Sequence, residues 1–215
     1  MMWRIEHGDC LDVMRGMADA SVDEIVSDPP YGLAFMGKQW DHGVPGVPFW
    51  TEALRVAKPG AHLLAFGGTR TFHRLAVAIE DAGWEVRDCL SWLYGSGFPK
   101  SHNLDGQWEG WGTALKPAWE PVIVARKPLV GTVAANMQAH GTGALNIDGT
   151  RIELRAEGED PRLGGKGTWG TASMAKNVYA GGYAGERVGS STHGRWPANV
   201  MLDEDAAAAL DAQTG

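Results

Sequence analysis

The chain has 215 residues, 44% of them hydrophobic, a formal net charge of −7 and two cysteines. That is enough for one domain with a sizeable core, or a domain carrying an insertion. Cys10 and Cys89 fit a reduced cytoplasmic protein better than a disulfide scaffold, and no apolar run or N-terminal stretch reads as a membrane span or a signal peptide. The acidic balance argues against general DNA binding, but the sign is uneven. Residues 127–200 carry 8 basic and 6 acidic side chains, whereas 1–126 carry 11 and 16. Local sign matters more to a phosphate partner than the total.

Trp3–His7 reads as a short strand ending at Gly8-Asp9-Cys10, with a helix from Leu11 to Met17. Gly8-Asp9 by itself is an ordinary helix-capping turn. Val22–Ser27 is a β-branched, apolar stretch that predicts a buried strand. Asp28-Pro29-Pro30-Tyr31 stops it, because neither proline can donate to a ladder and each fixes its own φ. An acid, two rigid residues and an aromatic ring thus stand at the C-terminal end of a strand, where open α/β sheets bind ligands. The set suits an exocyclic aromatic amine, whose lone pair is delocalised into its ring. The Asp28 carboxylate and the Pro29 carbonyl could accept its two N–H groups and draw the nitrogen towards tetrahedral geometry. Pro30 stiffens the turn, and Tyr31 can stack on a flat base taken out of its duplex.

Gly32 to Asp41 is glycine-rich and aromatic without a clean period, and predicts a mobile loop in which Lys38 could meet a phosphate. Pro48 opens a helix, Phe49–Ala57, ended by Lys58-Pro59-Gly60. Ala61–Phe66 is a second strand, and Gly67-Gly68-Thr69-Arg70 turns it into a helix over Thr71–Ala82. The Gly-Gly turn lacks a phosphate-binding fingerprint and reads as a tight turn with Thr69 as helix cap. Trp84–Tyr94 is a third strand. Ala118–Arg126 is a fourth, with Pro121 suggesting an edge or a bulge. No helix separates these two, which predicts an antiparallel pair. From Lys127 the character changes: residues 127–200 hold 14 of the 30 glycines. A helix is expected over Thr132–Ala139 and a hairpin over Ala144–Leu154, with loop from Glu157 to Gly194. Ala198–Leu202 is strand-like, and Asp203 caps a helix over Glu204–Gln213. Three segments result: 1–126, an α/β part carrying the Asp28–Tyr31 turn; 127–200, glycine-rich; and 201–215.

Asp28-Pro29-Pro30-Tyr31 after an apolar strand resembles motif IV of the amino-methyltransferases of DNA. Lys116-Pro117-Ala118-Trp119-Glu120-Pro121 and Arg195-Trp196-Pro197-Ala198-Asn199-Val200 look like segments of phage-type adenine methyltransferases. The resemblance implies an α/β fold of the S-adenosylmethionine-methyltransferase (Rossmann-like) kind, in part: a mainly parallel sheet with helices on both faces and a glycine-rich insertion. It implies methyl transfer from S-adenosylmethionine to the N6 of adenine in double-stranded DNA, on a flipped base. Asp28 would orient and polarise the amine and touch the cofactor, and Tyr31 would stack. Gly8-Asp9-Cys10 resembles the family's acidic turn, so Asp9 and the Cys10 N–H would hold the cofactor. Residues 127–200 would be the target-recognition region. No metal is implied, and the location would be the cytoplasm of a bacterium or a phage-infected host. The family's late glycine motif, resembling DPFxGSGT, is not in the chain. The expectation is therefore an N-terminal half, completed by a C-terminal half or a second subunit. N4-cytosine methylation is the neighbouring alternative, and a non-catalytic DNA-binding partner subunit the alternative of another class.

Overall fold

The computed structural model describes residues 3–34, 37, 41–99, 101–152 and 196–214. Five strands form one sheet: β1 (Val22–Ser27), β2 (Ala57–Phe66), β3 (Glu85–Leu93), β4 (Trp119–Arg126) and β5 (Val200–Leu202), in the order β1-β2-β4-β3-β5. β1 pairs parallel with β2 and β5 parallel with β3, while β4 runs antiparallel to both its neighbours. Four strands therefore point one way and β4 alone is reversed, so the expected α/β class and mainly parallel direction hold. The expected antiparallel pair is β3 and β4, since no crossover helix joins them to allow a parallel return.

Helices α1 (Cys10–Arg15), α2 (Val47–Val56) and α3 (Phe72–Asp81) fall close to where capping and apolar spacing put them, α2 with proline in its first turn. Trp50 and Ala53 of α2 and Leu75 and Ile79 of α3 bury themselves on Ala61, Leu63 and Ala65 of β2 and Ile123 and Ala125 of β4. These strand positions share one face by the alternation of a pleated strand. The indole of Trp84, also buried, donates to the Trp50 carbonyl at 2.9 Å. Two cations close the helix ends: Arg55 donates to the Met14 carbonyl in the last turn of α1 and to the Met17 carbonyl just beyond it, and Lys127 donates to those of Leu54 and Ala57 at the end of α2. On the opposite face the cover is thinner, and Val26 of β1 is 68% exposed.

Three expectations change. Trp3–His7 forms no strand; Trp3 and Ile5 are exposed, and β1 is the outermost strand of the sheet. Pro121 lies in an inner strand, not at an edge or in a bulge. Its carbonyl accepts from Gly67 N–H, so its missing N–H faces the end of β2, where pairing starts only at Val122. A 3₁₀ turn, Asp148–Thr150, stands in place of a hairpin over the described residues 144–152, because Asn146 accepts from Gly149 N–H through its side chain and from Thr150 through its carbonyl.

α4 (Val133–His140) is capped by the Thr132 side chain and ends at Gly141 in the left-handed region, φ 74°. α5 (Glu204–Thr214) follows β5. The chain divides into two compact units, 1–144 with 199–215, and 145–198. Within the second, the Arg151 guanidinium lies 5.3 Å from the centroid of the Trp196 ring. The expected loop from Glu157 to Gly194 lies outside the described residues, as do Phe35, Met36, Lys38, Gln39 and Trp40 of the loop after Tyr31. Among the described residues no helix is long and apolar enough to cross a membrane.

Candidate active site

One rim of the sheet gathers the C-terminal ends of β1, β2, β3 and β5 and the start of the reversed β4. At this rim β1 breaks at Ser27 into Asp28-Pro29-Pro30-Tyr31. The Asp28 side is exposed, Pro29 is buried and Pro30 and Tyr31 are half-buried. Burying the first proline costs no donor, since it has none.

The turn is held from two sides. The Thr71 hydroxyl, at the N-cap of α3, donates to the Tyr31 carbonyl at 2.6 Å. Thr71 rather than Thr69 is thus the cap residue, and its side chain serves Tyr31 and not the helix. The Tyr31 ring lies on Gly68, where a Cβ would come within 3.2 Å of its Cδ2. The Gly-Gly turn after β2 is needed for this approach. On the other side Gly32 takes φ +67°, with a Cβ position 3.0 Å from the backbone of Gly43 and Val44. Its N–H donates to Asp41 Oδ1 at 2.7 Å, and Asp41 is 3% exposed. Prolines, two glycine contacts and a buried acid therefore fix where the ring points.

The Tyr31 hydroxyl points across the rim to the start of β4 and donates to Glu120 Oε2 at 3.4 Å. Burial, then the Glu120 and Asp28 carboxylates, push this hydroxyl far above its ordinary value, so it stays protonated and acts as a donor. The Tyr94 hydroxyl, just past β3, is also raised, first by burial and then by Glu120. Glu120 had no role in the sequence reading. Its contact with Tyr31 spans 89 residues of chain and appears only once β2 and β4 are seen to pair. Further along the rim, Asp203 accepts from Gly95 N–H at 3.0 Å and from Ala206 N–H at 2.7 Å, joining the end of β3 to the start of α5.

Asp9 is the N-cap of α1 and accepts from Leu11 N–H at 2.8 Å. Asp9 and Cys10 are both exposed. The structure brings Asp28, Tyr31 and Glu120 together and gives Asp9 the capping role that a Gly-Asp turn ordinarily has. Among the described residues no group of three or more His, Cys, Asp or Glu is placed to hold a metal ion.

Fold and rim together define an α/β protein whose candidate site lies at the carboxyl ends of parallel strands, built around an acid, two prolines and a clamped tyrosine. No protein-family model matches the chain. It is similar to the type II methyltransferase M.HindIII of Haemophilus influenzae, 31% identical over 116 residues, which is 46% of this chain and 38% of that protein. It is also similar to the type II methyltransferase M.BamHI of Bacillus amyloliquefaciens, 34% identical over 74 residues, 29% of this chain and 17% of the other. The chain thus spans less than half the length of these relatives. Among solved structures, M1.HpyAVI in complex with SAM aligns over 59% of this chain and 56% of that one, at 18% identity and a TM-score of 0.42.

Proposed function

We propose that this chain is the base-holding part of a DNA amino-methyltransferase acting on the N6 of adenine. The observation that carries the reading is the Asp28–Tyr31 turn: an exposed carboxylate beside a tyrosine ring fixed by Thr71, Gly68 and Gly32. The similarity to the two type II methyltransferases supports the reaction class.

In this reading Asp28 and the Pro29 carbonyl accept the two amine protons, and the nitrogen lone pair is freed. Tyr31 stacks on the flipped base and orients it. S-adenosylmethionine, when bound, supplies the methyl group from its sulfonium. Its fit to the residues present is partial. The Asp28 carboxylate stands exposed at the rim, ready for a ligand, whereas Asp9 gives one oxygen to its own helix and lies with Cys10 on open surface. Asp9 and Cys10 are proposed to hold the cofactor from that edge, with further walls contributed by a C-terminal half or a second subunit. Residues 127–200 are proposed to contact the DNA target. Cytoplasmic location follows from the same reading.

The test is Asp28→Ala in the cofactor-complete protein. Methyl transfer should fall on the order of 10²-fold or more, as for loss of a group acting on the reacting atom, with DNA binding largely kept. Turnover close to wild type would remove Asp28 from the chemistry. Transfer to cytosine N4 in place of adenine N6 would be seen directly by nucleoside analysis of the product, and binding without any transfer would favour the partner-subunit reading.

A further inference from the structure

The Thr71 hydroxyl and the Asp41 carboxylate meet at one peptide group. Thr71 donates to the Tyr31 carbonyl at 2.6 Å, and Gly32 N–H donates to Asp41 Oδ1 at 2.7 Å. That carbonyl and that N–H are the two ends of the peptide joining Tyr31 to Gly32, and in a trans peptide they point opposite ways. The group is therefore gripped from both sides, by the start of α3 and by the chain before α2.

Neither grip is what its residue ordinarily does. Thr71 stands at the N-cap of α3, where a threonine oxygen usually accepts from the first turn of its helix, yet its side chain makes no such bond. Its hydroxyl is given to Tyr31 instead. Asp41 is only 3% exposed, although a carboxylate is costly to bury. A forgone helix cap and a buried acid converge on the same peptide, and local exceptions of this kind gather at functional sites. The grip is needed because Gly32 takes φ +67°, and glycine takes positive and negative φ about equally. Its own backbone therefore leaves either orientation of the peptide open. Asp41 decides between them, since a carboxylate only accepts: turned over, the peptide would present its carbonyl to that oxygen.

We propose that Thr71 and Asp41 are positioning residues that act as one clamp on the Tyr31–Gly32 peptide and hold the Asp28–Tyr31 turn in the form that receives the base. The consequence for transfer rests on the methyltransferase reading above; the clamp itself does not.

The clamp can be read without cofactor or DNA, by amide hydrogen exchange in the 215-residue chain. Thr71→Val removes the hydroxyl and keeps the shape. It should speed exchange of the Gly32 amide, whose own partner is Asp41, by about tenfold or more. The amides of α3 should keep their rates, because the hydroxyl does not cap that helix. Thr71→Ser should restore slow exchange at Gly32. An unchanged Gly32 rate in Thr71→Val, or equal loosening along α3, overturns the proposal. The consequence is read in the cofactor-complete protein by a double-mutant cycle. Thr71→Val and Asp41→Asn should each lower kcat on the order of tenfold, with KM for DNA within about twofold, since a bound base is then held less accurately. The asparagine amide can donate as well as accept, so it allows either orientation of the peptide. The double variant should be no worse than the poorer single one, because releasing either end frees the same group. Losses that multiply, to about a hundredfold, are two separate effects and overturn the single clamp. If instead Asp28→Ala leaves transfer intact, the methyltransferase reading fails, while the exchange result decides the clamp alone. Should Asp41→Asn not fold, Thr71→Val and its rescue by Thr71→Ser carry both readouts.

Discussion

Tyr31 is where residue-scale chemistry concentrates, because ring, carbonyl and hydroxyl each have a separate partner. The ring is the part a base would use. Tyr31→Ala should therefore be severe, since an aromatic stacked on a base is worth roughly 1–3 kcal/mol, whereas Tyr31→Phe keeps the π-face and should be mild. Equal loss in both variants, measured as kcat/KM for methyl transfer, would make the hydroxyl and not the ring essential. Gly68→Ala separates position from stability: its Cβ would lie 3.2 Å from the Tyr31 ring and 3.4 Å from the Thr71 hydroxyl. The ring must give way, so transfer should drop several-fold while the melting temperature moves little, as checked by calorimetry alongside the assay. Asp28 to Tyr31 could be read from the sequence because the four residues are contiguous and follow a strand. Glu120 and Asp41 could not. Each acts through a contact that depends on the folded rim, and Lys116–Pro121 gives no local sign that its glutamate faces a tyrosine 89 residues away.

At the scale of elements, the helices were legible where a stop or start signal coincided with apolar spacing. Pro48 marks α2, and Leu75 and Ile79 mark the buried side of α3. Trp3–His7 misled because a short apolar-polar alternation carries no information about a partner, and none pairs with it among the described residues. β2 began earlier than the apolar run. Its first half is held by α4 through Asn136, which is fully buried: its amide donates to the carbonyls of Pro59 and Thr142 and accepts from Val130 N–H. Asn136→Ala leaves these groups unpaired and should cost about 2–3 kcal/mol in urea unfolding. Stability within 0.5 kcal/mol of wild type, or about that, would show that water replaces the amide there. His62 gives the sheet a pH dependence. Burial, then Arg126, lower its pKa in the folded protein. The unfolded chain then takes up the proton first, so stability is intact above the ordinary histidine range, about 6.5, and falls as pH drops below it. The urea midpoint should decrease between pH 7.5 and 5.5, roughly the span of that titration, and decrease less in His62→Gln.

For the whole molecule the position of β1 decides what the chain can hold. Among the described residues the strand that delivers Asp28 is paired on one side only, with β2, and lies at the end of the sheet order. Its Val26 is 68% exposed, and Trp3 and Ile5 are 81% and 78% exposed. An outer strand of this character is a template for a further strand. The cofactor-side residues proposed from the sequence, Asp9 and Cys10, are exposed as well. If Asp9, Cys10 and Asp28 hold the cofactor as proposed, all three do so from exposed surface, and a ligand resting on them would bury little of its own surface. S-Adenosylmethionine should accordingly bind the 215-residue chain weakly, with Kd of about 1 mM or above, which corresponds to roughly 4 kcal/mol. Calorimetric titration of the chain, with its mass in solution checked by light scattering, measures this directly. Micromolar binding by a monomer would mean that the pocket is closed by residues other than Asp9, Cys10 and Asp28. Tight binding that appears only with self-association would mean that a second copy packed along β1 contributes to the site.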